Sequence, residues 1–355
     1  MQREAANAAR WPRFPGGFHE AWFVCASDPG TGQGLWLRYT VDSTREGNSG
    51  GLWAAWFDRE RPDRTLALRN TLQPAAIGRG AVGGPGEAGE RAVRIGSARL
   101  DASTCNGEVE AGDHARRWRL SFGRGASPED AVPRWLAPIS WMRGSGYRIA
   151  HPAMRATGAV EVDGRILDLS EVPAMQGHLW GRSRWPAWAW ARCAAFAEDP
   201  EASIDLLDVR GPFGLRFPML TFRFRGAVHR FGELPWMPLT QSGPAAPSWH
   251  FAAHDASLAI DGVARAAPEQ MVQVPYDEPD GPPLLCVHSA LASMEVRVRS
   301  RAFPGAPWRS EATLTARSAA SLEFCGRDRD ERVSGMLLSA PVPARIQHDA
   351  GSVAS

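Results

Sequence analysis

Apolar and polar residues alternate with a period of two along most of this chain, a pattern that commits it to strands before any other property is considered. Leu35, Leu37, Tyr39 and Val41 alternate with Arg38, Thr40 and Asp42, and Trp118, Leu120 and Phe122 with Arg117, Arg119 and Ser121. Leu220, Phe222 and Phe224 alternate with Thr221, Arg223 and Arg225, and Met294, Val296 and Val298 with Glu295, Arg297 and Arg299. Successive side chains of a strand point to opposite faces, so each run predicts an amphipathic strand. Helix-period segments are few. The runs are punctuated by 36 glycines and 28 prolines. Asp163-Gly164 and Asp261-Gly262 lie between such runs, and an Asp-Gly pair there predicts a type I′ hairpin turn. The expected fold is all-β, with two β-barrel or sandwich lobes built from antiparallel meanders and few helices.

Three stretches break the pattern. Gly78 to Gly89 is glycine-rich and reads as a flexible loop. Ser127 to Pro152 carries Pro128, Pro133, Pro138 and Pro152 and reads as an ordered crossing segment. Glu198-Asp199-Pro200-Glu201 reads as the lobe boundary, giving an N-terminal lobe over 14–197 and a C-terminal lobe over 198–345.

Composition excludes more than it assigns. At 355 residues, 44% hydrophobic and 22% charged, the chain has material for two cores. A formal charge of +1 offers no footprint for nucleic acid or an anionic membrane. The arginines at 116 and 117, and at 327 and 329, read as solvated faces. Every one of the 40 basic residues is arginine, so mechanisms that need a Schiff-base or Walker lysine are excluded. The five cysteines are scattered and odd in number, as expected of a reduced protein. Residues 1–10 lack the apolar run of a secretory signal, and no segment approaches eighteen uninterrupted apolar residues. The chain is therefore expected in the cytoplasm.

Familiar chemical signatures are also missing. His250 and His254 have i,i+4 spacing but no third ligand and no helix to align them, so no metal is expected. There is no Gly-x-Ser-x-Gly elbow, and the glycines near Gly78 to Gly89 lack the flanking strand and helix of a dinucleotide site. No cofactor is expected. The chemistry instead concentrates in Gly177 to Phe196, which holds Trp180, Trp185, Trp188 and Trp190 together with His178 and Arg192. Tryptophan offers a large apolar face with a negative quadrupole, suited to an extended apolar ligand or a developing cation, though equally to an ordinary core.

The His178-Leu-Trp180-Gly181 run, followed by Pro186-Ala-Trp188-Ala-Trp190, resembles the signature of the lipocalin-like superfamily that includes tocopherol cyclases and carotenoid 1,2-hydratases. Phe18 to Val41 resembles that group's opening Glu-x-Trp strand and hairpin, and Gly158 to Leu169 the hairpin before its His-Trp-Gly motif. Phe217 to Phe231 is similar to the second lobe, more loosely. The resemblance implies two calycin-like lobes and a pocket for an isoprenoid, polyene or polyketide-like substrate. In it Glu20 or His178 would transfer a proton while Trp22, Trp180, Trp185, Trp188, Trp190 and Arg192 line the site. The expected partner is a small apolar ligand, taken up through transient membrane contact. A buttressing histidine that bonds a loop carbonyl, and a Glu20 paired with Arg182 or Arg192, are the structural alternatives. A lipid or pigment carrier with the same fold, performing no chemistry, is the functional one. An inward carboxyl or imidazole beside the tryptophans would separate enzyme from carrier.

Overall fold

The computed structural model describes residues 2–10, 17–44, 47–72, 92–123, 125–142, 144–278 and 281–340. The glycine-rich stretch from Gly78 to Gly89 lies outside them. Among the described residues there are two short α-helices, α1 (Gln2–Ala6) and α2 (Ala137–Met142), and otherwise the regular structure is almost entirely strand. None of the helices is long and apolar enough to cross a membrane.

Eleven consecutive strands belong to the first sheet: β1 (Phe18–Asp28), β2 (Gln33–Thr44), β3 (Gly47–Asp58), β4 (Leu66–Leu72), β5 (Val93–Ile95), β6 (Ala98–Leu100), β7 (Thr104–Ala111), β8 (His114–Phe122), β9 (Glu129–Asp130), β10 (Gly146–Val162) and β11 (Arg165–Gly181). The second sheet takes β12 (Ala187–Cys193), β13 (Ser203–Arg210), β14 (Arg216–Phe224), β15 (Ala227–Arg230), β16 (Gln241–Ala245), β17 (Ser248–His254), β18 (Leu258–Arg265), β19 (Val272–Glu278), β20 (Gly281–Ser300) and β21 (Arg309–Gly326). The last strand, β22 (Leu337–Ser339), returns to the first sheet and runs parallel to β4. The chain thus changes sheet between Gly181 and Ala187, so Trp188, Trp190 and Arg192 enter with the second sheet.

The first sheet runs β22-β4-β3-β2-β1-β11-β10-β8-β7-β6-β5 and does not close by hydrogen bonding among the described residues. It curls instead. Tyr39 on β2 donates to the carbonyl of Asn106 on β7, and the Trp118 indole on β8 donates to the Tyr39 hydroxyl at 2.8 Å. The curl encloses one apolar core, which includes Trp22, Val24, Leu37, Trp56 and Leu120. A second core fills the other lobe, around Phe222, Phe251, Met294 and Leu322. A third lies between the sheets, where Phe23, Trp36, Trp53 and Tyr147 meet Trp190, Tyr276, Leu291 and Cys325.

This seam explains where alternation misleads. Both faces of β2 are covered, one by its own lobe and one by the opposite sheet, so Arg38, Thr40 and Asp42 are buried. Arg116, expected on a solvated face, is buried too and pairs with Asp163. The hairpin expected at Asp163-Gly164 forms between β10 and β11, with positive φ at both residues (49° and 80°). Asp261-Gly262 is no turn. It lies inside β18 opposite Ala252 and Phe251, and a Cβ at Gly262 would come 2.6 Å from the Phe251 ring; the glycine there makes room for a cross-strand aromatic. The proline-rich crossing segment contains β9, α2 and the start of β10, where Pro152 sits in a register shift between His151 and Met154, as expected of a residue that cannot donate to the ladder.

Candidate active site between the two sheets

A cavity of about 150 Å³ lies in the seam. The first sheet lines it with His19, Phe23, Trp36 and Arg38, and the second with Trp188, Trp190, Tyr276 and Glu323. Strand alternation sets this wall. On β1, His19 and Phe23 face the seam, whereas Glu20 and Trp22 turn into the first lobe.

The tryptophans of the motif all reach the cavity. Trp180, Trp185, Trp188 and Trp190 line it. Trp180, next to last in β11, lies opposite Gly146, whose missing side chain admits the indole; a Cβ there would stand 2.3 Å from the ring. Glu20 and His178, 158 residues apart in sequence, meet on adjacent strands with Nε2 and Oε1 separated by 2.8 Å. They do not line this cavity. Both are fully enclosed beside Trp22, whose ring stacks on His178 with centroids 4.8 Å apart. The His178 Nδ1–H donates to the carbonyl of Ala6 at 2.8 Å, and Glu20 accepts from the backbone N–H of Arg10. The group therefore fastens the segment containing α1 onto the lobe. Trp22 also contributes to this, donating its indole N–H to the Asn7 carbonyl.

Arg192 likewise lies behind the wall, paired with Asp205 at 3.3 Å rather than with Glu20. Asp205 also accepts from the Trp190 indole and the Tyr147 hydroxyl, so both cavity aromatics are oriented through one carboxylate. Burial raises its pKa from 3.8 to about 6, against the opposing charge of Arg192.

The cavity's own carboxylate is Glu323, which strand periodicity did not single out. It accepts from the Trp188 indole N–H at 2.8 Å, the Tyr276 hydroxyl at 3.3 Å and His288 Nδ1 at 3.2 Å. Burial alone would raise its pKa. The hydrogen bond and charge of His288, the charge of Arg38 and the Trp188 bond outweigh burial and hold it below the ordinary 4.5, so Glu323 is ionised near neutrality. His288 is fully buried between aromatic rings, stacked on Trp36 at 4.3 Å and on Trp190 at 6.2 Å. The usable signal in the sequence was only that "VHSALASM" carries one imidazole and "SLEFCG" one carboxyl in an apolar run, and nothing local says that the two runs pair. His250 and His254 lie on β17, and among the described residues no three His, Cys, Asp or Glu side chains are grouped as metal ligands would be.

A family model described as tocopherol cyclase-like matches residues 97–326. The chain belongs to the tocopherol cyclase-like family. The match takes in most of the second sheet as well as the tryptophan motif. Among curated proteins, uncharacterized proteins from two strains of Mycobacterium tuberculosis are each 25% identical over 315 residues, covering 84% of this chain and 87% of theirs. Among solved structures, an AttH-type protein of Nitrosomonas europaea superposes with a TM-score of 0.53 at 10% identity, over 90% of this chain and 98% of that one. That likeness is one of fold alone. Kievitone hydratase from Nectria haematococca gives a TM-score of 0.45 at 9% identity, over 88% of this chain and 89% of its own.

Proposed function

We propose that this protein is an enzyme of the cyclase or hydratase type that adds an O–H group across an unsaturated bond of a small, largely apolar molecule held in the seam. The observation that carries the reading is Glu323, a carboxylate bonded to an imidazole and placed in the cavity wall with Trp188, Trp190 and Tyr276. A protonation reaction needs such a pair, whereas binding an apolar ligand does not. The Glu323 and His288 pair would hold one proton, deliver it through Glu323 to the substrate, and regain it from the attacking water or internal hydroxyl. The re-formed carboxylate and the faces of Trp188, Trp190 and Trp36 would stabilise the intervening positive charge. One cation–π contact contributes about 0.5–2 kcal/mol, so exclusion of water and alignment of the reacting groups supply the larger share.

In this reading Glu20 and His178 position the N-terminal segment, and Trp22 belongs to that packing. The substrate is an isoprenoid, polyene or polyketide-like molecule of the kind that an apolar cavity with few polar groups accepts. The test begins with mass spectrometry of the compound that co-purifies with the full chain, followed by its incubation with wild type and Glu323→Gln. Conversion by wild type, lost in E323Q while the compound is still bound, supports the reading. Tight binding without conversion in either protein would make it a carrier.

A further inference from the structure

Arg38 is a buried cation with no acceptor among the described residues. Its residue is 3% exposed, and among the described residues its guanidinium makes no hydrogen bond and no ion pair. What surrounds it is aromatic: the guanidinium carbon lies 4.2 Å from the centre of the Tyr276 ring, 5.3 Å from Trp36 and 5.7 Å from Trp53. Aromatic rings attract a guanidinium through their π faces but offer its N–H groups no oxygen acceptor. Its buried Nε has no partner among the described residues, and the side chain lines the cavity. The other buried arginines near the seam differ. Arg184 is paired with Asp42 and Glu278, and Arg192 with Asp205.

His19 shares the wall and the condition. It is 4% exposed, and its Nδ1 has no partner among the described residues. Burial, followed by the charges of Arg184 and Arg38, pushes its pKa well below the usual value, so the ring is neutral and offers one donor and one acceptor. In the pairing of β1 with β2, Phe23 lies opposite Arg38 and His19 opposite Asp42, which puts both orphaned groups on the seam face of one ribbon.

We infer that the cavity is built for an amphipathic organic acid whose carboxylate seats on the Arg38 fork beside His19. The guanidinium plane matches a two-oxygen planar acceptor. A monoanion fits better than a phosphate, because Glu323 faces the same cavity and is close enough to feel the Arg38 charge. Leu136, Val209, Met219 and Trp185 supply the same cavity with an uncharged stretch for the apolar body. The inference rests on the proposed function only in setting the reacting part of the ligand near Glu323; the head-group assignment stands on Arg38 itself.

The experiment is calorimetric titration of the full chain at neutral pH with decanoate and with 1-decanol, both below their aggregation limits. A charge-assisted bidentate contact predicts that decanoate binds about tenfold or more tightly than the alcohol. Arg38→Met should lower decanoate affinity by about the same factor and leave decanol unchanged, while Arg38→Lys, keeping charge without the fork, falls between. The wild-type comparison needs no variant and stands even if R38M does not fold. Equal affinity for the two probes, or binding of neither, overturns the inference. E323Q separates the two proposals: it should keep the preference for acid over alcohol while losing turnover, so catalysis and head-group recognition fail independently.

Discussion

His178 has both ring nitrogens committed, one to the Ala6 carbonyl and one to Glu20, with no exposure to solvent. His178→Ala would leave a buried carbonyl and a buried carboxyl without their partner, a loss of about 1–3 kcal/mol. Thermal unfolding should show that loss, with probe binding per folded molecule unchanged. E323Q should show the opposite balance, with turnover reduced by about a hundredfold or more and the melting temperature changed less than in H178A. Asp205 adds a pH signature. Its native pKa of about 6 lies above its ordinary 3.8, so the folded state keeps a proton that the unfolded chain releases. Stability from this group is therefore present below its unfolded value and lost as pH rises through about 6. Urea unfolding of wild type against Asp205→Asn across this window should reveal the slope in wild type alone. A carboxylate held low by its partners slopes the other way, as Glu323 does: its stabilisation is present above 4.5 and lost as pH falls through its lower native value.

Strands carry the information that single residues cannot. Alternation on β1 assigns Glu20 and Trp22 to one face and His19 and Phe23 to the other, and the i,i+2 relation between His178 and Trp180 is equally legible. What alternation does not say is which face meets the second sheet. Asp163-Gly164 and Asp261-Gly262 make the same point. Each is a turn signal by composition, yet only the first is flanked by strands that end there, and the second is bypassed because β17, β18 and β20 pair continuously through it. Gly262→Ala should then act as an overpacking change, since its Cβ would meet the Glu295 carbonyl oxygen at 2.5 Å and the Phe251 ring at 2.6 Å. A destabilisation of about 1–3 kcal/mol in denaturant unfolding is expected; an unchanged midpoint would show that the strand yields freely.

At the scale of the whole molecule, the seam joins two independently built cores and buries groups that each lobe would otherwise leave exposed. All five cysteines are buried and free. Burial pushes Cys25 and Cys193 up to about 12, so the native protein should react slowly with a thiol reagent and the denatured protein should release all five. Rapid labelling of Cys25, Cys286 or Cys325, which belong to the seam, would show that the sheets part readily in solution. The two-lobed, antiparallel architecture was legible from the chain because period-two patterning is local: each residue's neighbours two positions away already state whether a strand is being built. The tryptophan motif was legible for the same reason, and its four indoles do line one cavity. Charge placement was not. Arg38 reads as the polar half of an amphipathic strand, and Glu323 as one acid in an apolar run, until the opposite sheet covers them. Whether a polar residue meets water or the seam depends on what packs against its face, and that is set by strands hundreds of residues away. Sequence by itself determined the strands and the aromatic character of the site; only the meeting of the two sheets decided which charged groups it contains, because desolvation and pairing are properties of the assembled seam and of no segment alone.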